Sequence, residues 1–220
     1  IRLVPSEDVK ERTRRAFPLV DQAETIRLTS ELGTDLLIER GDPEKLVAYA
    51  PDGQVAFAPP DESVNGVLYF KGGIRFQAPY TMRQMVYKPI KIEIEKGKIV
   101  SIARDTAMGI MLDDWFRSHN DPNSYQFAHI NLGTDPRIRL EDLDNTSVHY
   151  NYAAVLMGYG TNYTPLFGSD VRAKSHIDMN YVGGEYWVDT LCLARDGEFT
   201  DESGLRGPFG SMNSINKEGG

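Results

Sequence analysis

Between residues 89 and 103 the chain alternates with a period of two. Ile90, Ile92 and Ile94 are separated by Lys91, Glu93 and Glu95, Lys96-Gly97 offers a turn, and Ile99 and Val100 begin a return. Successive side chains on a strand leave on opposite faces, so this pattern predicts a hairpin with one dry face and one wet face. A helix would scatter the same isoleucines around its axis. The segment therefore commits the chain to antiparallel sheet.

Further strands are predicted over 23–28 and 35–39, separated by a turn at 31–34, and over 125–132, 153–159, 174–182 and 186–194. Residues 66–70 and 74–78 flank Lys71-Gly72-Gly73, which reads as a second hairpin turn. Two helices interrupt the strands. The first opens with Ser6 as N-cap and Glu7 and Asp8 in its first turn, carries Arg12, Arg14 and Arg15 toward its end, and is limited by Pro18. The second covers 105–117. Ala107, Ile110, Met111, Asp114 and Trp115 follow helical spacing, and Asn120-Asp121-Pro122 stops it. The expected fold class is α+β: mostly antiparallel β-sheet with a few helices, in one domain over residues 1–200. Residues 201–220 form a polar tail expected to order only against a partner.

The chain has 220 residues, 40% of them hydrophobic and 25% charged, enough to close a globular core. Its 24 Lys and Arg stand against 32 Asp and Glu, for a net charge of −8. That balance argues against gripping phosphate backbones, so no nucleic-acid partner is expected. No apolar run reaches membrane-spanning length, so no membrane partner is expected either. The lone Cys192 excludes an internal disulfide and a cysteine-based zinc site; a cytoplasmic address is the expectation. Cys192 lies between Leu191 and Leu193 and reads as a buried, inert thiol.

Four histidines carry most of the remaining chemistry. In the strand predicted around Ser175-His176-Ile177-Asp178-Met179-Asn180, alternation sends His176, Asp178 and Asn180 to one face and Ile177 and Met179 to the other. Two residues on, Cα atoms are roughly 6.5–7 Å apart, close enough for His176 and Asp178 to reach one ion. His129 and Asn131 likewise share a face, opposite Ala128, Ile130 and Leu132. Brought together, His129, His176 and Asp178 make two imidazoles and one carboxylate, the set of non-haem Fe(II) sites with open positions. Spacing alone is a weak signal, because Asp178 also suits a plain hydrogen bond to His176 on a solvated sheet. His119 and His149 read as surface residues, and Asp113-Asp114 as a solvated helix face. Gly158-Tyr159-Gly160 and Gly183-Gly184 do not open helices, so neither reads as a phosphate loop.

An ordered set of segments resembles the aminopeptidase T family of metallopeptidases and its relative, 2,5-dihydroxypyridine 5,6-dioxygenase. They are Ile26-Arg27-Leu28-Thr29 with Gly33-Thr34-Asp35-Leu36, Pro51-Asp52-Gly53-Gln54-Val55 with Ala58-Pro59, and Ser63-Val64-Asn65-Gly66. Then come Ile130-Asn131-Leu132-Gly133-Thr134-Asp135-Pro136, Gly158-Tyr159-Gly160 with Tyr163, and His176-Ile177-Asp178. The resemblance implies the fold of that family's C-terminal metal-binding domain, and a longer two-domain protein of which this chain carries the C-terminal half. The peptidases look for Glu where this chain has Gln54, Glu where it has His129, and His where it has Leu156, while sharing Tyr163, His176 and Asp178. Losing two ligands disfavours a second metal.

What the resemblance then implies is a mononuclear Fe(II) ring-cleaving dioxygenase. Its metal ligands would be His129, His176 and Asp178, and its partners a hydroxylated pyridine or related aromatic and O2. Tyr163 is the candidate acid, base or hydrogen-bond donor beside the metal, and Gln54 the candidate substrate contact. A homo-oligomer, or association with the absent N-terminal domain, is expected. The alternatives are a metal-dependent aminopeptidase recruiting Glu185 or Asp189, and a non-catalytic domain used for assembly.

Overall fold

A computed structural model describes residues 6–41, 46–49 (backbone only), 53–77, 82–138, 152–162 and 171–209. Helix α1 (Glu7–Asp21) leads into β1 (Thr25–Thr29), β2 (Asp35–Glu39), β3 (Leu46–Tyr49), β4 (Gln54–Phe57), β5 (Val64–Phe76), β6 (Met82–Glu95) and β7 (Lys98–Ile102). Helix α2 (Ala107–Ser118) and a 3-10 turn (Pro122–Tyr125) follow. The chain then returns to strands: β8 (Phe127–Gly133), β9 (Val155–Gly160), β10 (His176–Tyr181), β11 (Glu185–Val188), β12 (Leu191–Arg195) and β13 (Glu198–Phe199).

These strands form one sheet in the order β13-β12-β11-β1-β2-β5-β10-β9-β8-β4-β3, with β6 beside β5 and β7 beside β6. Every strand pair is antiparallel. The hairpin that fixed the fold class is present. Lys96 (φ 48°) and Gly97 (φ 72°) make its turn, the two-residue geometry that matches strand twist. Ile90, Ile92 and Ile94 are buried, as the alternation requires.

The Lys71-Gly72-Gly73 hairpin does not exist. Residues 64–76 are one strand, bulged between Phe70 and Gly72, whose first half pairs with β2, whose second half pairs with β10, and which β6 follows on both halves. Gly72 (φ 142°) is needed because a Cβ there would strike the Asn180 carbonyl oxygen on β10. The glycines thus bend a strand between two neighbours rather than reverse it. The opposite error falls at 186–194, which is two strands turning at Asp189 (φ 50°). The Asp189 carboxylate accepts from the Glu24 and Thr25 backbone N–H groups and holds that turn against β1.

Ser6 caps α1 as expected, accepting from Val9 N, but Pro18 does not end the helix. The chain runs on to Asp21 and closes with Gln22 N donating to the Pro18 carbonyl. The arginines consequently sit mid-helix. Arg12 is buried, donating to the Leu205 and Thr134 carbonyls and pairing with Asp8 at 2.8 Å. Part of the segment assigned in sequence to the polar tail therefore lies against α1, through Leu205, which is fully buried, and Phe209, whose backbone N–H donates to Asp8.

In α2 the fully buried residues are Gly109, Leu112, Asp113 and Phe116; of the set chosen from the sequence, Met111 and Trp115 pack against the core partly buried, while Ala107, Ile110 (40% exposed) and Asp114 face outward. Asp113 was misjudged as solvated. It is buried and paired with Arg104 (2.5 Å) and Arg117 (2.8 Å). Burial alone raises its carboxyl, but hydrogen bonds from Arg117 and Arg104 outweigh burial and hold it below the usual 3.8. The depressed value makes its contribution complete above about pH 4, and acid removes it as the pH falls through the folded-state value. Asp113→Asn is expected to cost about 1 kcal/mol near neutrality, because both arginines are solvent-accessible. In urea melts from pH 7 to pH 2.5 that difference should vanish on the acid side; a difference constant with pH contradicts the assignment.

His119, read from sequence as a surface residue, caps α2 with Nε2 buried and its ring edge-on to Trp115 at 4.5 Å. Burial lowers its pKa below 6.5. His149 lies outside the described residues. Cys192 is buried, and burial pushes its thiol up, as an inert core cysteine requires. Among the described residues no helix is long and apolar enough to cross a membrane.

Candidate metal centre

Three adjacent strands build the site. β8 brings His129 and β10 brings His176 and Asp178, with β9 between them. Strands two apart are separated by about 10 Å, too far for two side chains standing upright to share an ion. Gly158 on β9 closes that gap. It is the register partner of both His129 and Asp178, and a Cβ built on it would overlap the His129 imidazole. The ring therefore leans across bare backbone toward β10. Ile130 and Leu132 of β8 and Ile177 and Met179 of β10 point the other way, into the core, and anchor both strands.

The three ligand atoms converge. His129 Nε2 stands 3.3 Å from His176 Nε2 and 3.6 Å from Asp178 Oδ1, and His176 Nε2 stands 3.1 Å from the same oxygen. A point near the plane of a triangle with these sides lies about 2 Å from each corner, the ordinary length of a metal–imidazole bond. Three lone-pair donors aimed at one point repel each other unless a cation or a shared proton sits there. The donor set thus fits a single divalent transition metal. Asp178 is 1% exposed beneath side chains that are 12% (His129) and 19% (His176) exposed, so the site is reached from the imidazole side.

The surrounding groups are polar. Asp178 Oδ2 accepts from Gln77 Nε2 at 2.5 Å. His129 Nδ1 lies 2.8 Å from Asn131 Oδ1, and Asn131 Nδ2 donates to Gln54 Oε1 at 2.7 Å. Gln54 and Asn131 are both buried. Sequence reasoning paired Asn131 with His129 on one face but gave it no role, and it missed Gln77, which lies just past the end of β5. In the sequence Gly158 belongs to a segment shared with the family and is no phosphate loop, but sequence reasoning gave it no part in the site. Its signal was a glycine inside an otherwise apolar strand, which marks close approach of another group.

Among the described residues this is the one cluster of three or more His, Cys, Asp or Glu able to hold a metal. The carboxylates that a second ion would require are engaged elsewhere. Glu185 accepts from Thr29, Trp187 and Arg195, and Asp189 caps the β1 entry. Leu156 is buried and apolar, opposite Asn131 and Asn180, and offers no ligand atom. Tyr163 lies outside the described residues. A cleft of about 690 Å³ formed by residues including Thr29, Tyr69, Lys71, Tyr181 and Arg195 contains none of the three ligands.

An antiparallel sheet that brings two imidazoles and one carboxylate together on neighbouring strands defines a class: proteins whose donor set suits one transition-metal ion with positions left open. Within that class the chain belongs to the 2,5-dihydroxypyridine 5,6-dioxygenase (NicX) family, whose model matches residues 1–201. The 2,5-dihydroxypyridine 5,6-dioxygenase of Pseudomonas putida KT2440 is 28% identical over 226 aligned positions, covering 93% of this chain and 63% of that protein. The solved structure of 2,5-dihydroxypyridine dioxygenase from the same strain superposes with a TM-score of 0.76 at 23% identity, over 92% of this chain and 62% of that one. Wild-type AmpT from Thermus thermophilus superposes with a TM-score of 0.59 at 16% identity, over 90% of this chain and 56% of its own. Both structures share the fold. The chain spans less than two thirds of the length of each of these relatives.

Proposed function

We propose that this chain carries the metal centre of an Fe(II)-dependent ring-cleaving dioxygenase acting on a hydroxylated pyridine of the 2,5-dihydroxypyridine type with O2. The observation that carries the reading is the meeting of His129 Nε2, His176 Nε2 and Asp178 Oδ1 around one point. Bound ferrous iron would supply a centre on which an electron-rich ring and O2 exchange electrons, chemistry no side chain performs.

The chain's own residues do the rest. Two neutral imidazoles and one carboxylate leave a divalent ion with one net positive charge, which favours an anionic hydroxypyridine oxygen over a neutral ring. Gln77 holds Asp178 by Oδ2, which turns Oδ1 toward the two imidazoles where the ion would bind. The buried floor and more open imidazole rim direct substrate to one side of the centre. Tyr163 is the proposed proton donor or acceptor beside the ring. Gln54, its carbonyl held by Asn131, is proposed to bear on substrate position from behind the ligand shell.

Oxygen uptake with 2,5-dihydroxypyridine tests the reading. Protein loaded anaerobically with ferrous iron should bind about one ion per chain and consume O2. His176→Ala should abolish uptake by at least about 10³-fold, the scale of losing one essential member of a catalytic set. Undiminished uptake by the variant removes His176 from the reaction, and two tightly held zinc or cobalt ions per chain would point instead to hydrolytic chemistry.

A further inference from the structure

A metal-binding imidazole needs its lone pair on the nitrogen facing the ion, and its proton on the other. In solution a neutral imidazole carries that proton on either nitrogen, so a site gains affinity when a neighbour fixes the choice beforehand. The two histidines here differ in this respect. His129 Nδ1 faces Asn131 Oδ1 at 2.8 Å, whereas buried His176 Nδ1 has no hydrogen-bond partner among the described residues.

Asn131 is oriented in turn. Its amide nitrogen donates to Gln54 Oε1, which leaves its carbonyl oxygen as the group turned toward His129. Both amides are buried, at 8% and 4% exposure, so water does not replace either partner. Reversing both amides would point Asn131 Nδ2 at His129 Nδ1, move the ring proton to Nε2 and place it where the ion belongs. In the observed orientation the Asn131–Gln54 pair therefore favours the proton on His129 Nδ1 and leaves Nε2 for the ion. The ring itself is kept in line by Gly158, where a side chain would displace it.

We propose that Asn131 and Gln54 are positioning residues that hold His129 as the Nδ1–H tautomer, with its Nε2 lone pair presented to the metal before any metal arrives. The role deepens the iron-centre reading of the same site and rests on it. It also gives the buried Gln54 amide a physical task at the site.

The decisive measurement is made on metal-free protein. Long-range ¹H–¹⁵N correlation spectra of the imidazoles distinguish a protonated from an unprotonated nitrogen at each position. Wild-type His129 should appear as the Nδ1–H form, and Asn131→Leu should leave it mixed or shifted toward Nε2–H. Zn(II) titrations against a chelator should show Asn131→Leu binding roughly 10- to 100-fold more weakly, the usual cost of removing such a partner. Asn131→Asp, which still accepts from Nδ1–H while Gln54 turns its amide around, should restore both the tautomer and most of the affinity. A wild-type His129 found as Nε2–H overturns the proposal, even if Asn131→Leu fails to fold. So does an Asn131→Leu protein with unchanged tautomer and affinity. If wild-type protein binds no metal, the iron-centre reading fails, while the metal-free spectra still decide the Asn131 assignment.

Discussion

Gly158→Ala is expected to disable the metal centre while leaving the sheet standing. The added Cβ overlaps the His129 imidazole, and the obstacle is fixed because β9 is held on both sides, by β8 and by β10. The ring must swing away or the strands must part. Overpacking of this kind costs typically about 1–3 kcal/mol, which a domain with this core survives. The ligand set does not survive it. Displacing one imidazole by about 1 Å breaks a shell in which every donor atom lies within 3.6 Å of the others. Metal affinity should fall at least about 100-fold, with far-ultraviolet circular dichroism unchanged. An alanine variant that binds ferrous or zinc ion like wild type would show that His129 does not need the bare backbone beneath it.

Such a glycine shows what kind of information the sequence holds. Local rules located most of the strands, because alternation is written into each segment: the 89–103 hairpin and the buried side of β10 follow from period two alone. The same rule put His176 and Asp178 on one face. Failures came where the outcome depends on another strand. Lys71-Gly72-Gly73 looks like a turn until Asn180 of β10 is seen pressing on Gly72. Residues 186–194 look like one strand until Asp189 is seen capping β1.

Helix α2 is present where expected, and its inward face was only partly legible for a different reason. Its inward face includes an aspartate that two arginines neutralise, so hydropathy placed Met111 and Trp115 on the core side but not Asp113. The meeting of β8 with β10 across β9 is long-range pairing that no local pattern encodes; only the family resemblance joined His129 to the other two ligands. Asn131, Gln54 and Gln77 were each visible as polar residues, but their hydrogen-bond partners were not, and the pairs span up to 101 positions of sequence.

Asp178→Asn should have the largest effect on metal binding and little on folding. The carboxylate is buried beneath two imidazoles and receives Gln77 Nε2, so it has little access to water, and a cation joining the site would stabilise its charge further. The isosteric amide keeps the Gln77 bond through its oxygen and turns its NH2 toward the imidazoles, where it donates to an Nε2. One substitution thus removes the anion and fills the ligand point with a donor. Metal affinity should drop by about 10³-fold or more, because the +1 centre becomes an uncompensated dication in a buried site. Metal-free stability should change by no more than about 1–2 kcal/mol in either direction.

Thermal melts separate these effects cleanly. At 100 times its dissociation constant, a metal adds about 2.7 kcal/mol to the folded state, so wild-type protein should melt several degrees higher with the ion than without it. The Asp178→Asn protein should melt at the same temperature in both conditions. A metal-dependent rise retained by this variant would mean that the ion binds without Asp178. The three-atom convergence would then be only a hydrogen-bonded cluster on a sheet.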